Sequence, residues 1–127
     1  MILVDSDVLI AHLRGVEAAR KWLTQARTET GPLAISTIAI AEVAGGMRSP
    51  ERRQVARLLA SLRRVPVTER IAWQAARLTR AYRRSNVGIG LGDYLIAATA
   101  QVEGLELATL HTKHFPMFEG LASPFAL

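Results

Sequence analysis

Residues 1–10, MILVDSDVLI, join a short apolar run to two closely spaced aspartates. A short apolar run of this kind is typical of a strand buried in the middle of a sheet. The segment has no basic leader, and Asp5 and Asp7 interrupt its apolar character, so we interpret it as the first strand and not as a signal peptide. Asp5 then stands where that strand should end.

Further along the chain, short strand candidates alternate with helical patterns. The strand candidates are LAIS (33–36), VPVT (65–68) and LELATL (105–110). Strands that alternate with helices predict a parallel sheet with helices on both faces. We therefore expect an α/β fold with three α/β/α layers, a central, mainly parallel sheet of four to five strands, and one domain over residues 1–127.

Two other segments bear on the site. In 51–64, arginines surround an apolar helical stripe, which favours a solvated face over an RNA contact. SNVGIGLG (85–92) is interpreted as a flexible link that places Asp93 at the start of the next helix. Trp22 and Trp73 fall in amphipathic helices, where packing or dimerisation is expected in preference to stacking on nucleic-acid bases.

Composition restricts the class of protein. Sixteen basic residues against eleven acidic ones give a net charge of +5, which favours a polyanionic partner such as nucleic acid. There is no cysteine, which excludes disulfides and thiolate metal sites and is compatible with the cytoplasm. No uninterrupted apolar run reaches the ~18 residues that a membrane span needs, so no membrane partner is expected.

Three carboxylates are candidates for chemistry: Asp5, Glu42 and Asp93. Each aspartate could equally cap a helix. Glu42 lies beyond the first turn of an apolar helical segment, and no arginine or lysine lies between Gly31 and Met47. A carboxylate in apolar surroundings needs a cation or a strong donor. A divalent ion shared with Asp5 and Asp93 would meet that need, and Mg²⁺ and Mn²⁺ both accept carboxylate oxygens.

Four segments, in order along nearly the whole chain, resemble the motifs of the PIN-domain nucleases, and most closely the VapC-type toxins of bacterial toxin–antitoxin pairs. They are LVDSDVLI (3–10), ISTIAIAEVAGG (35–46), GLGDYLIAATA (90–100) and LATLHTKHFPMF (107–118). The resemblance implies a PIN-like fold and a ribonuclease that cleaves RNA with Mg²⁺ or Mn²⁺. It also implies a homodimer and a cognate VapB-type antitoxin whose C-terminal segment covers the site.

By that resemblance, Asp5, Glu42 and Asp93 match the three acidic metal-site positions. Ser6 matches a small hydroxyl residue beside the first acid, and the hydroxyl residues Ser36 and Thr109 match positions that support the carboxylates.

The last motif departs from the family pattern. Where the family commonly has asparagine and then an acid three residues later, this chain has His111 and His114. The change suggests a subgroup and leaves open whether one or two ions bind. Both histidines could instead be surface or hydrogen-bonding residues.

The sequence is also compatible with two other functions. Asp5-Ser6-Asp7 also resembles the motif of haloacid-dehalogenase-like phosphatases, with Asp5 as nucleophile and Asp7 as acid/base. That interpretation lacks a later pair of acids and leaves Glu42 without a role. The other alternative is a PIN fold that binds RNA or protein without catalysis.

Overall fold

The computed structural model describes all 127 residues and contains four short strands and six helices. The strands are β1 (Ile2–Val4), β2 (Ala34–Ser36), β3 (Arg63–Val65) and β4 (Glu106–Ala108). The helices are α1 (Ser6–Leu13), α2 (Glu17–Thr30), α3 (Thr37–Gly45), α4 (Arg52–Ala60), α5 (Glu69–Tyr82) and α6 (Leu91–Glu103). Two 3-10 turns lie at Ser49–Glu51 and Thr112–His114.

All four strands are parallel and lie in the order β3-β2-β1-β4. Leu3 of β1 pairs with Ala34 on one side and with Leu107 on the other. Because β1 has neighbours on both sides and is covered by helices, Leu3 and Val4 are buried. The predicted three-layer α/β fold with a central parallel sheet is confirmed, with four strands.

Parallel strands end at the same edge of the sheet, and this places the polar residues. Ser36 is the last residue of β2, Asp5 follows β1 directly, and Thr109 follows β4 directly. The backbone N–H of Asp5 donates to the carbonyl of Ala108 at 2.9 Å, which ties the ends of β1 and β4 together. Three polar side chains from distant parts of the chain are thus neighbours at one edge.

The apolar interior is one connected cluster that includes residues of the strands and of all six helices. Phe115, which follows the second 3-10 turn, is the largest fully buried side chain. Its burial anchors the segment that carries His111 and His114. None of the helices has the length and apolar character needed to cross a bilayer.

Two predicted boundaries are wrong. The third strand was expected at 65–68 after a helix over 51–64, yet α4 ends at Ala60 and β3 is Arg63–Val65. β3 pairs only with β2, at the edge of the sheet, so its side chains need not be apolar, and exposed arginines protect such an edge. The link at 85–92 is shorter than expected because α6 begins at Leu91 and includes Gly92.

Candidate active site

Asp5 is held at the end of β1 by two hydroxyl residues and a helix start. Its Oδ1 accepts a hydrogen bond from the Ser6 N–H at 2.8 Å and lies 3.5 Å from the Ser6 hydroxyl. Its Oδ2 accepts one from the Thr109 hydroxyl at 2.8 Å. The side chain is nearly enclosed, with 4% of the residue exposed. Asp5 therefore both caps α1, as one sequence interpretation had it, and points a fixed carboxylate into the edge of the sheet.

Electrostatics set Asp5 apart from an ordinary capping residue. The pKa of Asp5 is raised to about 7, mainly by burial and in addition by the charges of Asp7 and Asp93. The hydrogen bonds from Thr109 and Ser6 lower it but do not compensate. A carboxylate in this state is stabilised in its charged form by a nearby cation.

The exposure of Glu42 differs from the expectation. The sequence predicted a carboxylate enclosed by apolar neighbours, but the Glu42 side chain is exposed. The reason is that α3 buries only Ala39 and Val43, so the side of this apolar helix that carries Glu42 is not covered by the core. Its carboxylate is nevertheless partly desolvated, which raises the pKa of Glu42. The Ser6 hydroxyl lowers that pKa, and Asp93 and Asp7 raise it further.

Gly92 explains how Glu42 approaches α6. A Cβ atom at Gly92 would lie 3.2 Å from Glu42 Oε2, closer than side-chain carbons normally come to another atom. The missing side chain therefore leaves room for the carboxylate beside the first turn of α6. The sequence had assigned this glycine to a flexible link, so its packing role was missed.

Asp93 is the third residue of α6, not its N-cap. Its Oδ2 accepts a hydrogen bond from the Gly90 N–H at 3.1 Å, which supports the start of the helix. The same oxygen lies 3.2 Å from His114 Nδ1, although without hydrogen-bond geometry. Asp93 Oδ1 makes no hydrogen bond within the chain and remains available to a ligand.

Sequence reasoning missed the position of Asp7 within the site. Its Oδ2 accepts hydrogen bonds from the Thr109 hydroxyl at 3.2 Å and from the backbone N–H groups of Leu110 and His111 at 3.0 and 3.1 Å. Asp7 thereby fixes the segment after β4 against α1. Its other oxygen, Oδ1, is buried and has no partner in the chain.

The supporting residues divide into two groups. Thr109 contacts Asp5 and Asp7 at once, and Ser6 lies beside Asp5 and Glu42. Ser36 is buried and caps α3 by accepting from the Ile38 N–H at 3.3 Å, with no hydrogen bond to any of the carboxylates. Its contribution is to the start of the helix that carries Glu42.

The two histidines each stand beside one aspartate. His111 Nδ1 is 3.5 Å from Asp7 Oδ2, and His114 Nδ1 is 3.2 Å from Asp93 Oδ2. Their ring centroids are 5.3 Å apart. The histidine segment therefore lies across the carboxylates and not on a distant surface.

The donor set fits a divalent cation, although the side chains do not converge on one point. No three acidic or histidine side chains stand close enough together to hold a single ion as they are placed, so an ion would draw carboxylates inward. Three observations favour such an ion: the raised pKa of Asp5, the unpartnered buried oxygen of Asp7, and the space left by Gly92. Oxygen donors of this kind suit Mg²⁺ and Mn²⁺.

A groove adjoins Glu42. It has a volume of about 580 Å³ and runs from Glu42 between α1, α3 and the 3-10 turn at Ser49–Glu51. Half of its lining is apolar, with Arg14 and Arg48 among the polar residues. A chain segment lying in this groove would reach Glu42.

Comparison with known proteins gives consistent results. The sequence model of the PIN domain matches residues 2–116. The chain is 66% identical over 127 residues to Ribonuclease VapC10 of Mycobacterium tuberculosis, covering 100% of this chain and 95% of the relative. It is 38% identical over 125 residues to Ribonuclease VapC19 of the same organism, covering 98% and 100%.

Among solved structures, one chain of a toxin–antitoxin complex from Klebsiella pneumoniae superposes with a TM-score of 0.80 at 30% identity. The alignment covers 100% of both chains.

Proposed function

The chain belongs to the PIN-domain family, and we propose from this that it is a divalent-metal-dependent ribonuclease that acts as the toxin of a toxin–antitoxin pair. The two mycobacterial relatives are named ribonucleases, and a structural neighbour is part of a toxin–antitoxin complex. The observation that carries the catalytic proposal is the enclosed carboxylate of Asp5. Its raised pKa favours a cation at the edge where Glu42 and Asp93 also lie.

We propose Asp5, Glu42 and Asp93 as the catalytic, metal-binding residues. A divalent ion, when bound, activates water and stabilises charge on the phosphodiester oxygens. The chain's own residues prepare its site. Thr109 and Ser6 hold the carboxylate of Asp5 in one orientation, and the Gly90 N–H holds that of Asp93. Gly92 leaves space for Glu42.

Metal removal tests this function directly. Purified protein incubated with total RNA should cleave it with Mg²⁺ or Mn²⁺, should stop in EDTA, and should resume when the ion is restored. Cleavage that persists undiminished in EDTA would exclude a metal nuclease. RNA that stays intact with either ion would favour a PIN fold that binds without catalysis.

The phosphatase alternative requires a free Asp7 that can act as acid and base. In the structure, one Asp7 oxygen accepts three hydrogen bonds and the other is buried, so the carboxylate is committed to holding the segment after β4. The match of residues 2–116 to the PIN domain also points away from that enzyme class. A covalent phosphoryl adduct on Asp5 would be the result that reinstates it.

Growth experiments test the toxin proposal. Production of the chain alone should arrest growth, and Glu42→Gln should relieve the arrest because the exposed carboxylate loses its charge while keeping its shape. Glu103→Gln, at the exposed end of α6, is the matched control and should leave the arrest unchanged. Arrest by the Glu42→Gln variant at the native level would remove Glu42 from the site.

We expect the cognate antitoxin to neutralise the site with an arginine, because guanidinium pairs bidentately with carboxylates. The groove beside Glu42 offers a path for such a segment. Co-expression with the adjacent small open reading frame, followed by purification, should yield a complex that does not cleave RNA.

His114 leads to a prediction about the metal. An imidazole brings no negative charge, and it suits Mn²⁺ better than Mg²⁺. We therefore expect faster cleavage with Mn²⁺ than with Mg²⁺, one well-ordered ion in the resting protein, and a smaller gap between the metals in His114→Asp. His114→Ala should cost far less than Asp5→Asn, because it removes a neighbour of Asp93 and not a primary ligand.

Cleavage rates of the three variants, each titrated with both metals near pH 7.5, test these expectations. If His114→Ala is as inactive as Asp5→Asn, this histidine belongs among the catalytic residues. Equal cleavage rates with the two metals in the native chain would contradict the prediction that His114 favours Mn²⁺.

The remaining assignments follow from the same proposal. Residues 1–127 form one nuclease domain, supported by the single sheet and the connected apolar cluster. A homodimer and action on RNA in the cytoplasm are expected of a toxin of this family. Sedimentation of the purified chain tests the dimer.

A further inference from the structure

The outer side of α5 carries a continuous exposed stripe of arginines and one tryptophan. Its members follow one another at intervals of three and four residues, which places them on one side of the helix. They are Arg70, Trp73, Arg77 and Arg80 in α5, with Arg84 just beyond its end, and all are exposed. The buried residues of the helix, Ile71, Ala75 and Leu78, lie on the opposite side. These five exposed residues are called the α5 stripe below.

The charge of this region differs from that of an ordinary solvated helix. Residues 52–84 contain ten of the sixteen basic residues and one acid, Glu69, so this segment carries +9 while the rest of the chain carries −4. All ten arginines are exposed, and none forms an ion pair. Exposed helices usually intersperse charges of both signs, whereas α4 contains no acid and α5 contains only Glu69 against three arginines.

Trp73 gives the stripe a second kind of contact. It is 62% exposed, although a large aromatic side chain without a partner is costly to leave in water. Its Nε1 donates to Glu69 Oε2 at 3.3 Å, which restrains the indole. Arg77 donates to Gln74, and Gln74 donates to Gln101 of α6. Trp73, Arg70 and Arg77 line a shallow depression of about 520 Å³ against α6.

The α5 stripe runs toward the part of the structure that holds the candidate carboxylates. Residues 83–90 are a short link that keeps the end of α5 near the start of α6, and Gln74, in the first half of α5, donates to Gln101, near the end of α6, so the two helices run antiparallel. The end of α5 therefore lies beside the start of α6, which carries Asp93. From Arg84 to Arg70 the stripe extends away from Asp93 over about 21 Å at 1.5 Å per residue. That length is sufficient for contact with several successive nucleotides.

Resting on the ribonuclease function above, we propose that the α5 stripe binds a single-stranded part of the RNA substrate beyond the cleaved bond. The arginines contact phosphates, and Trp73 stacks on a base. Phosphate contacts account for the surplus of unpaired positive charge. An exposed aromatic ring among arginines is the arrangement by which proteins bind unpaired bases.

Two charge-matched variants test the proposal. Arg70→Gln/Arg77→Gln/Arg80→Gln removes three charges from the stripe, and Arg20→Gln/Lys21→Gln/Arg27→Gln removes three exposed charges from α2. Binding of a single-stranded RNA is measured in the Asp5→Asn background, and cleavage in the otherwise native chain. The stripe variant should bind at least about tenfold more weakly. The slope of log K against log salt should fall by about 2, at about 0.7 per lost phosphate contact on a single strand.

The aromatic contact has its own pair of variants. Trp73→Ala should weaken RNA binding about tenfold, whereas Trp73→Phe, which keeps a ring, should recover most of it. RNA should also quench the tryptophan fluorescence of the native chain and not that of Trp73→Phe, which retains only Trp22.

The outcomes separate this proposal from the function on which it rests. If the native chain does not cleave RNA, the ribonuclease function fails, and the binding measurements still decide the stripe. If the stripe variant and the α2 variant bind alike with equal salt slopes, the stripe proposal is wrong. A stripe variant that binds RNA like the native chain but sediments at a lower mass would show a contact between two copies of the chain, which also overturns it.

Discussion

The Asp5→Asn/Asp93→Asn double variant is expected to cleave RNA on the order of 10³-fold more slowly than the native chain, or worse. Loss of one preorganised electrostatic stabiliser from an active site costs about 10²–10³ in rate, and two carboxylates are lost here. Asparagine keeps the shape of each side chain, and its carbonyl oxygen can still accept from the Ser6 N–H at position 5 and from the Gly90 N–H at position 93. The amide nitrogen at position 5 can then donate to the Thr109 hydroxyl, which still donates to Asp7, so the fold should persist. Initial rates on one RNA, with Mg²⁺ and with Mn²⁺, measure the effect.

The control variant for this experiment also removes two negative charges, but from residues outside the candidate site. Glu103→Gln/Glu106→Gln changes two exposed acids at the end of α6 and in β4, neither of which forms an ion pair. It should cleave at the native rate. Undiminished cleavage by the aspartate variant would overturn the assignment of the catalytic residues, whatever the source of the activity.

The second large effect concerns stability without metal. Burial raises the pKa of Asp5 from its ordinary value to about 7, so the folded chain holds the Asp5 proton more tightly than the unfolded chain does. Below pH 4 both states are protonated. Between pH 4 and 7 the unfolded state releases the proton first, so the free energy of unfolding should fall as the pH rises, by up to about 4 kcal/mol. Above pH 7 the loss is complete.

Urea unfolding in EDTA at several pH values measures this loss. Asp5→Asn cannot titrate at this position, so the difference between native and variant should grow from pH 4 to 7 in favour of the variant. Glu42, whose pKa is also raised, contributes in the same direction to both proteins and cancels in that difference. Parallel stability curves for the two proteins would show that Asp5 is not destabilised by its surroundings.

The destabilisation caused by ionised Asp5 favours a bound cation in the working protein. Saturating Mg²⁺ or Mn²⁺ should flatten the pH dependence of the native chain, because the ion stabilises the ionised carboxylate. A ligand that binds only the folded state adds stability in proportion to RT ln(1 + [L]/Kd). The Asp5→Asn variant should gain less from the metal than the native chain does.

Much of the architecture could be predicted from local patterns. The apolar run before Asp5 gave β1, LAIS gave β2, and the alternation with helices gave a parallel sheet. These predictions succeeded because burial on both faces imposes an apolar pattern that is visible in sequence. β3 was misplaced because an edge strand has no such requirement and here contains two arginines.

The placement of the site was partly predictable for the same reason. In a parallel sheet, residues that directly follow neighbouring strands meet at one edge, so Asp5 and Thr109 lie together although 104 positions separate them. Asp93 was expected near that edge from its position at a helix start. Its assignment as catalytic, like that of Glu42, stays a prediction until the variants are measured.

The sequence by itself determined the strand–helix order and the parallel sheet, because periodicity and chain order express which residues must be buried, and it singled out the three candidate acids. Only the tertiary structure decided that Glu42 is exposed, that Gly92 makes room for it, and that Asp7 fixes the segment after β4. These features depend on contacts between α1, α3, α6 and the chain after β4, whose distances and orientations are set by packing across the sheet. A local pattern shows which face of a helix is apolar, but not which oxygen lies within 3 Å of which donor.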